Sequence, residues 1–86
     1  MAVHKIARRS PSGASRALGS RVRALRAERG WSLEELAHRA GVHVTYLSSV
    51  ERGHRNPTLN ILAALARALS VSLSELVDGI GTGGEE

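Results

Sequence analysis

The segment from Leu33 to Gly53 constrains the fold most, because it contains two short helical patterns separated by a tight break. In the first pattern apolar residues recur on one helix face, and Gly41 follows where a helix C-terminus favours positive φ. The second pattern combines an apolar set of Val42, Leu47 and Val50 with small polar groups on its other side. Two helices joined by a turn of three or four residues that contains glycine form a helix-turn-helix unit. Such a short second helix with a polar outer face fits a DNA major groove, which is about 12 Å wide.

Three further helices are predicted around this unit, so that the chain has five helices in all, and no segment shows the pattern of a strand. In chain order, the second and third of the five helices form the unit. The first runs from about Ser15 to Arg29. The second begins after Ser32, which opens a Ser-Leu-Glu-Glu capping box, and the third runs from His43 or Val44 to Arg52. The fourth begins near Pro57, a residue preorganised for the first helical position, and the fifth runs from about Leu73 to Val77. The predicted fold class is therefore all-α.

Composition limits the protein to a single small domain with a core built from Leu, Val and Ala. The chain has 86 residues, of which 42% are hydrophobic but only 2% aromatic, and it has no cysteine. The lack of cysteine excludes a disulfide framework and a thiolate metal site. No apolar run approaches the roughly 18 residues of a membrane-spanning helix, and no apolar segment follows the basic first residues as it does in a signal peptide. We therefore expect a cytoplasmic protein.

The net charge of +4 is unevenly distributed along the chain. Residues 1–29 carry +7, whereas residues 58–86 carry −3. This asymmetry indicates that one end of the molecule meets an anion. We predict a flexible basic arm over residues 1–14, a folded domain over 15–80 and a flexible acidic tail over 81–86. Three basic residues of the arm are placed to follow phosphates or to enter a minor groove, namely Lys5, Arg8 and Arg9; the alternative is a tail that is simply disordered in the free protein.

The segment resembles the helix-turn-helix of the lambda-repressor, Cro and Xre-like family. The resemblance rests on Ala37, Gly41, Leu47 and Val50, and on the Tyr-Leu-Ser-Ser-Val-Glu-Arg-Gly sequence that ends at Gly53. It covers about residues 18–80 and implies a compact five-helix, lambda-repressor-like DNA-binding domain.

Within that family, the Tyr-Leu-Ser and Glu-Arg-Gly-His-Arg-Asn sequences most resemble the controller proteins of restriction–modification systems. An antitoxin autorepressor is the other finer option. One departure concerns Leu33, because family members very often carry glutamine at this first position of the first motif helix.

The resemblance places Val44, Thr45 and Ser49 where family members face the edges of bases. Val44 offers only a methyl contact, while Thr45 and Ser49 offer single hydrogen bonds, so direct readout by this helix is predicted to be weak. DNA shape or the N-terminal arm then has to supply part of any specificity. Seven polar side chains are candidates for phosphate contacts: His43, Tyr46, Arg52, His54, Arg55, Asn56 and Arg21.

The resemblance also implies an ion pair between Arg26 in the first helix and Glu51 at the end of the third. Such a pair would brace the reading helix, whereas the alternative is an exposed Glu51 without a structural role. An exposed pair is worth only about 0–1 kcal/mol, and a half-buried pair costs more to break.

The last predicted helix and the residues after it are more apolar than one short helix needs for its own core. Such apolar patches on a small domain usually mark an interface. The candidates for a homodimer interface are Leu73, Leu76, Val77 and Ile80, and we predict that Leu76 and Ile80 cross the two-fold axis while Val77 lies partly inward. The alternative is that all of them belong to the monomer core.

The leading functional hypothesis is a sequence-specific double-stranded DNA-binding transcriptional regulator of the repressor type. It would bind a palindromic operator as a homodimer, with helix 43–52 in the major groove. The alternative is a protein-interaction module that has kept the fold but lost DNA binding, which Leu33 and the weak reading face favour and the basic residues argue against. We find no nucleophile–base pair and no metal-ligand spacing among the histidines, so we predict no enzymatic activity, cofactor, metal, membrane or small-molecule ligand.

Overall fold

The computed structural model describes residues 13–81, and within that range the chain forms five helices and no strand. The helices are α1 (Gly13–Glu28), α2 (Leu33–Ala40), α3 (Val44–Glu51), α4 (Leu59–Leu69) and α5 (Leu73–Val77). The all-α prediction is thus confirmed. The predicted arm and tail lie outside the described residues except at their inner ends, where residues 13 and 14 belong to α1.

Side chains that accept hydrogen bonds from the first turn set where three of the helices begin. Ser32 accepts from the N–H of Glu35 at 3.0 Å, but the Glu35 carboxylate is bonded to Arg39, so the predicted capping box of α2 is only half formed. At α4 the cap is Thr58, which accepts from Ile61. The helix therefore begins two residues after Pro57, because a threonine cap itself stays extended.

Helix α5 has a complete capping box. The Ser72 hydroxyl accepts from the N–H of Glu75, and the Glu75 carboxylate accepts from the N–H of Ser72 at 2.7 Å. The hydrogen bond from this backbone N–H, followed by one from the Ser72 side chain, lowers the pKa of the Glu75 carboxyl below its ordinary value. A helix of only five residues thus begins at a well-defined point.

The turn between α2 and α3 is short because one glycine reverses the chain. Gly41 has φ 74° and ψ 31°, the left-handed conformation that glycine adopts without penalty. The N–H groups of Gly41 and Val42 close the end of α2 by donating to the carbonyls of His38 and Ala37. Three residues then suffice to connect the two helices, so α2 and α3 form the predicted helix-turn-helix unit.

The core is a single aliphatic cluster to which all five helices contribute. It is built from leucine, valine and alanine, as the composition predicts, and its buried members are Leu18, Val22, Leu36, Ala37, Leu47, Val50, Leu65, Ala66, Leu69 and Leu76. Two residues of α3, Leu47 and Val50, are almost fully buried. Helix α3 is therefore fixed to the core by one face and leaves the other face outside. None of the helices in residues 13–81 is both long and apolar enough to cross a membrane.

Helix α1 crosses the C-terminal end of α3 at a distance that only a glycine allows. Gly19 is buried, and a Cβ atom placed on it would lie 2.5 Å from the carbonyl oxygen of Glu51 and closer still to that of Val50. Nearby, Gly53 has φ 81°, and a Cβ there would lie 2.7 Å from Cγ of Arg16. In the sequence Gly19 looks like a weakness in a helix, but in the structure it permits the close approach of α1 to the end of α3.

Candidate nucleic-acid interface

Of the three residues predicted to face bases, Thr45 and Ser49 lie on the side of α3 turned away from the core, whereas Val44 lies at the edge of that side and packs partly against the core. Thr45 is exposed, while Val44 and Ser49 are half-buried. The opposite face holds the buried Leu47 and Val50. The alternation of buried and accessible positions thus leaves a short strip of small side chains outward, whose hydroxyls and methyl groups match the weak readout expected from the sequence.

Arg52 folds back along the end of α3. Its Nε donates to the carbonyl of Ser48 and its Nη2 donates to Oγ of Ser49, both at 3.3 Å. The Ser49 hydroxyl is therefore already engaged within the chain, and a base contact by Ser49 has to share this hydroxyl with Arg52. The sequence pattern does not show this coupling between a predicted base contact and a predicted phosphate contact.

A second group of polar side chains lies in the loop that follows α3. The Arg55 guanidinium lies 5.5 Å from the centroid of the Tyr46 ring, within the range of a cation–π contact. The N–H of His54 donates to the carbonyl of Ser49 at 2.9 Å, which ties the loop to the helix. Four of the predicted phosphate-contacting residues are exposed here: Arg52, His54, Arg55 and Asn56.

At the other end of α3, His43 is the N-cap residue and is exposed, but its side chain makes no capping hydrogen bond. Polar side chains thus flank the strip of Val44, Thr45 and Ser49 at both ends. Groups at the two ends of a reading helix are placed to contact the backbones that border a groove.

Arg21 is an exception among the predicted phosphate contacts. Its guanidinium donates to the carbonyls of Glu75, Leu76 and Asp78 at 2.8, 3.2 and 2.9 Å, at the end of α5. These three hydrogen bonds engage the guanidinium within the domain, so the prediction that Arg21 contacts phosphate is corrected. The sequence places Arg21 in a basic segment but gives no sign of a partner more than 50 residues away.

Arg26 and Glu51 form a bidentate ion pair between α1 and the end of α3. Nε and Nη2 of Arg26 donate to the two carboxylate oxygens at 2.7 and 2.8 Å, and Nη1 donates to the carbonyl of Trp31 at 2.9 Å. The side chains are only 17% and 6% exposed. The hydrogen bonds to Glu51 raise the pKa of the Arg26 guanidinium above its ordinary value, so Arg26 stays charged at any physiological pH. The pair joins α1 to the C-terminal end of α3, which is also the end that Gly19 contacts.

The residues predicted to form a dimer interface separate into two groups. Leu76 is fully buried in the core of its own chain, so the prediction that it crosses a two-fold axis is wrong: a short helix needs one full anchor, and Leu76 is that anchor. Leu73, Val77 and Ile80 are half-buried. Val77 and Ile80 line a shallow apolar cleft together with Pro57 and Leu62.

Sequence reasoning also missed an arginine that closes the end of α4. Nη2 of Arg29 donates to the carbonyl of Leu69 at 2.5 Å, and its Nη1 donates to the carbonyl of Leu25. In the sequence Arg29 is simply the last basic residue of the first predicted helix, and in the structure it directly follows α1. Within residues 13–81 no three histidine or acidic side chains lie close enough together to hold a metal ion.

Comparison with known proteins agrees with this architecture. The sequence matches the family model described as helix-turn-helix over residues 22–76, and it is 52% identical over 60 residues to the uncharacterized HTH-type transcriptional regulator y4dJ of Sinorhizobium fredii. That match covers 70% of this chain and 78% of the relative. The chain spans only about half the length of several other curated relatives that it matches.

Two solved structures are similar in both sequence and fold. One is the restriction–modification controller protein C.AhdI from Aeromonas hydrophila, with a TM-score of 0.74 and 38% identity over 76% of this chain and 98% of that one. The other is SinR, the master regulator for biofilm formation, solved in complex with DNA, with a TM-score of 0.68 and 44% identity over 71% of this chain and 98% of that one.

These matches, with the geometry of α2 and α3, define a helix-turn-helix protein. The chain belongs to the helix-turn-helix family of the lambda-repressor, Cro and Xre type, as its sequence predicts. The family and the relatives named above are regulators of transcription rather than enzymes.

The ion pair between α1 and α3 gives a direct prediction. Glu51→Gln should lower the free energy of unfolding by about 3 kcal/mol, because it leaves a largely buried guanidinium without its counter-charge. Denaturant unfolding measures the change. Glu35→Gln is the matched control, since it breaks the Arg39–Glu35 pair, whose side chains are 47% and 43% exposed, and it should cost about 0–1 kcal/mol. Equal losses in the two variants would contradict a bracing role for Glu51.

Proposed function

We propose that this protein is a sequence-specific, double-stranded DNA-binding regulator of transcription that works as a homodimer on a palindromic operator. The observation that carries the proposal is the outer face of α3, a strip of small side chains with polar groups at both ends and arginines at the C-terminal end. Similarity to SinR, whose structure was solved with DNA, supports the same function. A regulator of transcription acts on the chromosome, so we place it in the cytoplasm.

In this proposal α3 lies in the major groove, and its two kinds of side chain do different work. Val44 and Thr45 reach base edges, and Ser49 shares its hydroxyl between a base and Arg52. The side chains of His43, Tyr46, Arg52, His54, Arg55 and Asn56 bind the flanking phosphates. Phosphate contacts supply affinity and register, whereas base contacts supply the sequence preference. Because each single contact discriminates only weakly between bases, deformation of the DNA contributes to specificity.

The basic N-terminal arm is proposed to extend this contact. Lys5, Arg8 and Arg9 lie outside the described residues, but α1 begins at Gly13 and its first turn packs on the loop after α3, since Arg16 lies against Gly53. The arm therefore joins the domain beside the loop that carries His54 and Arg55. Positive charge that enters here is well placed to reach a phosphate or a minor groove next to the half-site.

The homodimer is proposed to form through the cleft lined by Val77, Ile80, Pro57 and Leu62. These side chains are half-buried in one chain, and a second copy would cover the rest. A two-fold axis near α5 presents both reading helices on one side of the dimer. Two half-sites in successive major grooves require a separation of about 34 Å.

The finer assignment is to a controller-type repressor. The controller protein C.AhdI is similar to this chain over 98% of its own length, which supports this assignment. The second candidate, a protein-interaction module without DNA binding, is favoured by Leu33, which packs on the core where most of the family has a polar glutamine. Selection of bound DNA separates the two, because a pure interaction module enriches no sequence.

A pair of substitutions tests the division between base and phosphate contacts. In vitro selection from random duplexes should first give an operator for the wild-type protein. Arg55→Ala should then weaken binding to all duplexes alike and reduce the salt slope by about 0.9, the value for one phosphate contact. Thr45→Ala should shift preference at one base position by about 1 kcal/mol, as loss of one hydrogen bond does. If Arg55→Ala changed the base preference and Thr45→Ala did not, the roles that we assign to these two residues would be wrong.

A charge in the cleft tests the dimer. Ile80→Asp should give a folded protein that sediments as a monomer at concentrations where the wild type is dimeric, because the new carboxylate has no partner in an apolar interface. Leu59→Asp is the control, since Leu59 is an apolar side chain that is 66% exposed and is not among the residues that line the cleft. If the wild type is monomeric at tens of micromolar, about the ceiling for a useful dimer, the proposed interface is contradicted.

A further inference from the structure

The Arg21 guanidinium gathers three backbone carbonyls at the end of α5. Nη1 donates to Glu75 at 2.8 Å and to Leu76 at 3.2 Å, and Nη2 donates to Asp78 at 2.9 Å. The last carbonyls of a helix have no intrahelical donor, and a cation there also interacts favourably with the helix dipole. Arg21 thus closes a helix that lies more than 50 residues away in the sequence.

This closure matters because Arg21 supplies hydrogen bonds that join the far end of α5 to α1. The backbone hydrogen bonds there, from Asp78 to Glu75 and from Ile80 to Val77, are local, and Val77 and Ile80 pack only partly on the core. The helix has five residues, with its capping box at the first turn and Leu76 as its one fully buried side chain. The backbone leaves the helix at Asp78, where ψ is 129°, and the N–H of Asp78 reaches the Glu75 carbonyl only at 3.4 Å. The capping box therefore fixes the residue at which α5 begins, and Leu76 fixes how deeply α5 sits in the core. Arg21 fixes the direction of the end of α5 relative to α1.

Helix α1 is in contact with both functional parts of the domain. Through Gly19 and Arg26 it contacts the end of α3, and through Arg21, two residues from Gly19, it holds the end of α5. Val77 and Ile80, which line the cleft proposed for the partner copy, lie at or just beyond that held end. The direction of the dimer-forming residues relative to the reading helix is thus transmitted through a few residues of α1.

We infer that Arg21 is a positioning residue that sets which spacing of half-sites the dimer accepts. With the guanidinium in place, α5 has one direction against α1, and the two reading helices of a dimer have one separation. Without it, the end of α5 moves against α1 and the dimer accepts a wider range of separations. This inference rests on the proposed function, because it concerns a dimer bound to two half-sites.

The experiment uses Arg21→Lys and Arg21→Gln in the full chain. Lysine keeps the positive charge and binds phosphate as a point charge, but its single ammonium group cannot span three carbonyls as the planar guanidinium does. Glutamine keeps some of the donor capacity and removes the charge. Arg23→Lys is the matched control, because Arg23 is an exposed arginine two residues along the same helix.

Three kinds of duplex probe are needed. The first is the operator selected by the wild-type protein, the second consists of two versions of it with the half-sites one base pair closer or farther apart, and the third is a single half-site. The wild type and Arg23→Lys should prefer the selected spacing by at least about tenfold, a ratio that corresponds to about 1.4 kcal/mol. Arg21→Lys and Arg21→Gln should bind the single half-site as the wild type does, bind the operator more weakly, and lose most of the preference for spacing.

Other results separate the possible errors. If Arg21→Lys keeps the wild-type spacing preference, the inference fails while the proposed function stands. If Arg21→Gln weakens the single half-site and lowers its salt slope while Arg21→Lys does not, Arg21 is a phosphate contact and the inference also fails. If both variants lose their helical circular dichroism, Arg21 supports the whole domain and not the direction of α5, which overturns the inference. If the wild type selects no DNA, the proposed function itself fails.

Discussion

The close crossing of α1 over the end of α3 is the contact on which the rest of the structure depends. Gly19 allows two backbones to approach to a distance that no side chain permits. The Arg26–Glu51 pair joins the same two helices about two turns farther along α1. A largely buried ion pair adds little net stability, and its main contribution is the geometry that it imposes. Here it fixes the end of a helix whose outer face has to match a groove.

The reading helix itself is chemically modest, so its placement carries much of the function. None of the side chains on its outer strip can form a bidentate contact with a base, and Ser49 is already bonded to Arg52. Under the proposed function, specificity then depends on how firmly, and at what separation, a homodimer presents two copies of α3 to DNA. On the same proposal α1, which contacts both α3 and α5, is as important to recognition as α3.

The sequence predicts the parts of this domain that are determined locally. Apolar periodicity, the cap at Ser32 and the glycine at position 41 place all five helices to within about two residues. The sequence predicts that α4 begins near Pro57, but it begins at Leu59 because the Thr58 side chain caps its first turn. The family resemblance supplies the Arg26–Glu51 pair. In contrast, the partner of Arg21 and the depth of Leu76 depend on how α1 and α5 meet in three dimensions, and neither periodicity nor charge reveals that meeting.

The most direct measurement of the role of the crossing is the effect of Gly19→Ala on the free energy of unfolding and on affinity for the selected operator. Helix propensity alone favours alanine by about 0.8–1.0 kcal/mol, whereas overpacking of this kind costs about 1–3 kcal/mol. We expect Gly19→Ala to be less stable than the wild type and to bind the operator more weakly, while Ser20→Ala, at an exposed neighbouring position, changes neither by much. A Gly19→Ala protein that is more stable and binds DNA as the wild type does would contradict the importance of this crossing.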